Sequence, residues 1–160
     1  MSFEEDLLTF LKDSKKLLFI GIGNNLRKDD GAGIRIVNIL KRKGIKNVLN
    51  CGPSPENYIG IIKKISPTHI IFFDAVEMGK EPGHFEIIKE CDFYEQILST
   101  HKIPMNLLFQ ILKNEIPNLK ILFIGIQPKN IDFGKGISYP VAKGINSLVN
   151  KIIKALMVRN

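Results

Sequence analysis

The sequence predicts an α/β fold: a three-layer α/β/α sandwich with a mostly parallel, twisted central sheet and room for one antiparallel strand. Three observations carry this reading. The runs KLLFIGIG, HIIFFDAV and LKILFIGIQP are continuously apolar and short, as strands buried on both faces are. They alternate with segments whose apolar residues recur at helical spacing, and strands joined through helices of about ten residues or more pair in parallel. No linker, repeat or low-complexity stretch interrupts the alternation, so residues 1–160 are expected to form one domain, with 1–16 as an N-terminal helical extension.

The elements follow in order. FEEDLLTFLKD reads as a short helix with Leu7, Phe10 and Leu11 on one face. KLLFIGIG is the first strand, ending in glycines. From Ala32, apolar Ile36, Val37, Ile39 and Leu40 keep helical spacing until Gly44 supplies a stop. KNVLNCG is a short second strand. SPENYIGIIKKIS reads as a helix with Ser54 as cap and Pro55 at its first position, placing Tyr58, Ile61, Ile62 and Ile65 on one side. HIIFFDAV is a strand ending at Asp74, and Pro82 and Gly83 punctuate the start of an added strand, GHFEIIKE. IPMNLLFQILKNE is a helix, LKILFIGIQP a strand and YPVAKGINSLVNKIIKALMV a long closing helix. The strands are expected to end at Gly23, Gly52, Val76 and Pro128, and ligands of open parallel sheets bind beyond such ends.

Composition narrows the function classes. With 44% hydrophobic and 24% charged residues the chain has a globular balance. Its apolar runs are too short to span a bilayer, and MSFEEDLLTFLKDSKK lacks the pattern of a signal peptide, so a cytoplasmic protein without a membrane partner is expected. The net charge of +7 comes from dispersed lysines, with no arginine–aromatic interleaving, and no nucleic-acid partner is expected. Cys51 and Cys91 stand too far apart for a local metal or redox motif and read as incidental thiols.

GIGNNLRKDDGAG, after the first strand, suggests a nucleotide loop at first sight. The third glycine of a dinucleotide fingerprint would fall at Leu26, and Lys28 is followed by Asp29 rather than by Ser or Thr. Adjacent carboxylates at Asp29 and Asp30 would repel a phosphate and attract a metal ion, so no nucleotide is expected. Asp29 suits helix capping or orientation of its neighbour; Asp30 suits the cleft. Asp74 closes a very apolar strand, where a carboxylate is either paired or at the exposed mouth, and Glu77 is a weaker candidate nearby. His101, in STHKIPMN, opens towards the same side, whereas His69 begins a strand at the opposite end and His84 borders the added strand. Asp30, Asp74 and His101 form a donor set suited to zinc, nickel or iron(II) with open positions. Ser99 lies too close to His101 for a triad, and no G-x-S-x-G elbow occurs.

GIGNNLRKDDGAG, FFDAV and STHKIP together resemble the glycine-acidic, strand-end acidic and histidine motifs of the nickel-iron hydrogenase maturation endopeptidases. FIGIQP and FGKGIS are similar to later landmarks of that family, and the likeness runs from Leu17 to Leu148. The resemblance implies a three-layer α/β/α protease that removes the C-terminal tail of a hydrogenase large-subunit precursor after nickel insertion. It assigns Asp30, Asp74 and His101 as metal contacts, with nickel delivered in the substrate. Catalysis would then fall to Asp30 or Asp74 as general base, or to the metal acting on the scissile carbonyl or on water. A non-enzymatic nickel-binding chaperone for the same precursor is the alternative.

Overall fold

The computed structural model describes residues 2–89 and 104–159. In chain order it contains α1 (Phe3–Leu11), β1 (Leu17–Gly21), α2 (Ala32–Arg42), β2 (Val48–Asn50), α3 (Ile59–Ile65), β3 (His69–Ala75), β4 (Phe85–Ile88), α4 (Met105–Glu115), β5 (Lys120–Ile126) and α5 (Tyr139–Val158). The sheet order is β2-β1-β3-β5-β4, and every pairing is parallel except β4 with β5. The added strand is therefore the antiparallel edge.

The continuous apolar runs are explained by what covers each face. Leu17 and Phe19 of β1, with Ile71 and Phe73 of β3, join the core beneath α1, α2 and α5. Their neighbours Leu18, Ile20, Ile70 and Phe72 join a second core beneath α3 and α4. Side chains alternate along a strand, so burial of both faces demands apolar residues at successive positions. Leu7 and Leu11 of α1 are buried in the first core together with Leu148 and Ile152 of α5. Glu4 adds an ion pair to Lys151 on α5 at 3.0 Å.

Local details depart from expectation in three places. The strands end at Gly21, Asn50, Ala75 and Ile126, one or two residues early, because the chain leaves the ladder there to build the rim loops. The stretch expected as one helix from Ser54 begins as a 3-10 turn, Pro55–Tyr58, and Ser54 makes no side-chain cap bond. That tighter turn shifts the phase of α3: Ile59, Ile62 and Ile65 face the core, and Ile61 is 47% exposed.

The first glycine loop is shaped by close packing. A Cβ on Gly33 would lie 2.3 Å from the Phe73 carbonyl oxygen and 2.4 Å from that of Ile22, so α2 sits with its backbone directly on the sheet. Among the described residues, no helix is long and apolar enough to cross a membrane.

Candidate active site

The loops at the carboxyl ends of β1, β3 and β5 build one rim. The chain leaves β1 at Ile22, whose N–H donates to the Phe73 carbonyl at 2.9 Å, immediately before Asp74 in β3. It then turns at Gly23, where φ is +153° and a Cβ would overlap the Asp30 carbonyl oxygen. Asn24 N–H donates to that same carbonyl, at 3.2 Å. Asp30 follows in a 3-10 turn, Lys28–Gly31, that packs against β3 and leads into α2. Asp30 and Asp74 are thereby carried to the same rim by adjacent strands, with 5% and 2% of their surface exposed. Asp74 faces the α3–α4 layer, since it lies two residues beyond Phe72 on the same side of the strand.

Asp29 has another task. Its carboxylate accepts from the N–H groups of Lys129 (2.9 Å), Asn130 (3.2 Å) and Ser138 (2.7 Å) and from the Ser138 hydroxyl (2.8 Å). It does not cap α2, whose capping position is Gly31 with no side-chain bond. Burial raises the Asp29 pKa, but the bonds from Ser138, Lys129 and Asn130 outweigh it and hold the carboxyl below its usual range. With these donors engaged, Asp29 is a positioning residue that fastens the loop after β5 beside Asp30.

A second fastening was not foreseen from the sequence. Gln127, 3% exposed, accepts from Met78 N–H at 2.7 Å and Lys80 N–H at 3.2 Å, and donates to Glu77 at 2.6 Å. The Gly79 N–H, 3.0 Å away, and then Gln127 hold the Glu77 carboxyl low. Glu77 thus shapes the loop after Asp74. A polar residue closing an apolar strand was the available signal for Gln127.

His101 lies outside the described residues, as do Cys91 and Ser99. Among the described residues no three His, Cys, Asp or Glu side chains gather as a metal site, so a metal here would need a further donor beyond Asp30 and Asp74. His69 sits at the amino end of β3, bonded to Thr68 and Asp13, and His84 pairs with Glu86. Cys51 is buried, which pushes its thiol up to about 12 and leaves it poorly suited to nucleophilic work.

The family model described as hydrogenase maturation protease matches residues 34–155. The chain belongs to this family. Hydrogenase 3 maturation protease of Escherichia coli is 34% identical over 138 residues, covering 84% of this chain and 85% of that protein. A provisionally named hydrogenase maturation protease of Methanocaldococcus jannaschii is 40% identical over 163 residues, covering 96% of this chain and 95% of that protein. Among solved structures, the nickel-iron hydrogenase maturation protease of Thermococcus kodakarensis superposes with a TM-score of 0.84 at 28% identity, over 97% of this chain and 99% of that one. As a hydrogenase maturation protease the chain is an endopeptidase, which favours hydrolysis over the chaperone reading.

Proposed function

We propose that this maturation protease removes the C-terminal tail of a nickel-iron hydrogenase large-subunit precursor once nickel has been inserted. It would read the substrate-borne nickel through Asp30, Asp74 and His101. The observation that carries the proposal is the pair of buried carboxylates at one rim of a family fold, Asp74 near the end of β3 and Asp30 in the loop that follows the adjacent β1. Two carboxylates at one mouth suit a cation arriving with the substrate, and a precursor without nickel loses the contacts that position its tail. Asp30 or Asp74 would take a proton from the attacking water as general base while substrate nickel mainly docks the tail, or the nickel would itself supply Lewis-acid polarisation of the scissile carbonyl or activation of water. Water adds across the peptide bond, leaving a new carboxyl terminus on the large subunit and an amine on the released tail. Asp29 and Glu77 hold loops and take no part in the proton transfer.

The test is mass spectrometry of cognate precursor, nickel-loaded and nickel-free, after incubation with the wild-type protein and with Asp30→Ala, Asp74→Ala and His101→Ala. Circular dichroism checks that each variant is folded. Loss of a C-terminal peptide from the nickel-loaded form alone is expected, with processing down by about a hundredfold or more in each variant. Equal cleavage of the nickel-free form, or undiminished processing by folded His101→Ala, overturns the nickel-reading role.

A further inference from the structure

Beside Asp30 the rim carries a second feature, of opposite sign. The segment before Asp29 and the segment after Pro128 are laced together: Lys28 N–H donates to the Gly134 carbonyl at 2.9 Å, Gly134 N–H to the Leu26 carbonyl at 2.8 Å, and Arg27 Nε to the Ile131 carbonyl at 3.1 Å. Between them and the start of α5 lies a pocket of about 350 Å³ whose walls include Lys28, Lys129 and Lys135. None of the three lysines forms an ion pair among the described residues. The one acid in the wall, Asp29, already accepts four hydrogen bonds. The 20-residue α5 has no acidic residue in its first turn, so its positive end adds to the lysine field.

Two local features fix where Lys28 stands. Lys28 holds φ +46°, a left-handed conformation that costs a side-chain-bearing residue energy. Its side chain lies over Gly134, where φ is +145° and a Cβ would come within 2.8 Å of Lys28 Cε. Any larger residue at 134 would displace the lysine. The segments that build the pocket also carry exposed apolar side chains: Leu26 is 60% exposed, Phe133, next to Gly134, 78%, and Tyr139, next to Ser138, 79%, and the Arg27 guanidinium covers one face of the Phe133 ring at 5.2 Å.

We infer that this pocket is a docking site for an acidic segment of the hydrogenase precursor: a carboxylate enters among Lys28, Lys129 and Lys135, and flanking apolar side chains lie on Leu26, Phe133 and Tyr139. The inference rests on the precursor-protease reading given above. The pocket adjoins the proposed cleavage site, since Lys28 and Asp29 of its wall share the 3-10 turn Lys28–Gly31 with Asp30, and its unpaired positive charge selects an anion. The exposed apolar side chains on the same segments favour a polypeptide over a free phosphate. Aligning the tail here fixes its register relative to Asp30 and Asp74 without entering the chemistry.

The experiment compares wild-type protein with the triple variant Lys28→Gln, Lys129→Gln, Lys135→Gln on nickel-loaded precursor, measuring binding by fluorescence anisotropy and cleavage separately. Binding and KM are expected to weaken about tenfold or more with kcat retained. The wild-type advantage is expected to vanish as salt rises. A Lys→Glu version should be rescued by precursor whose acidic residues near the cleavage point are changed to lysine. Binding of the triple variant within twofold of wild type overturns the inference, as does inorganic phosphate competing at millimolar concentration while the charge swaps leave precursor binding unchanged. A wild-type protein that binds precursor through these lysines and never cleaves it leaves the docking site standing and overturns the protease reading instead.

Discussion

Asp29 accepts its hydrogen bonds from groups 100 to 109 residues further along the chain, and that separation explains why its role escapes a reading of the sequence. Locally it precedes a helix, and capping is what such a position suggests; the partners that claim it arrive only when β5 and α5 are in place. Replacing Asp29 by Ala leaves three backbone N–H groups without their acceptor, and urea denaturation should show a loss of about 2–4 kcal/mol. The sign with pH follows from its lowered pKa. The contribution is complete above the unfolded value of about 3.9 and is lost as pH falls through the lower folded value, so the gap between wild type and Asp29→Ala should close in acid. Asp74 stands out in the sequence because it closes an apolar strand, and Asp30 because it doubles a carboxylate in the glycine-rich loop after one. Gln127 does not, since its partners at 78 and 80 are backbone groups, which leave no imprint on residue type.

At the level of elements, strands read well because each has a partner layer on both faces, and the helices read well wherever one apolar stripe decides the matter. The phase of α3 did not, because Pro55 begins a 3-10 turn as readily as an α-helix and the difference moves Ile61 from core to solvent. The glycines of the first loop were legible as special and misleading as to kind. Gly33 permits helix-to-sheet contact, with two carbonyl oxygens within 2.4 Å of where a Cβ would stand. Gly33→Ala is expected to destabilise the protein by about 1–3 kcal/mol or more, seen as a lower thermal midpoint. A midpoint unchanged from wild type would show that α2 can lift from the sheet at no cost.

For the molecule as a whole, the N-terminal helix matters more than an extension should. Leu7 and Leu11 are 0% and 1% exposed within the core shared with α5. We take residues 1–160 as one cooperative unit, so Leu7→Ala should cost about 2–5 kcal/mol while unfolding remains a single transition. A separate early transition for α1, or no loss at all, would make it an appendage. The mostly parallel sheet and its one antiparallel strand were legible in outline, and the strand order and the lacing of distant loops across the rim were not, because contacts between segments so far apart have no signature in composition or period. That lacing makes residues 24–31 and 128–138 a single part in the mechanical sense. A chimera that transplants the first loop onto a sister scaffold must carry the later segment with it, or the grafted Asp30 will arrive without the jig that aligns it.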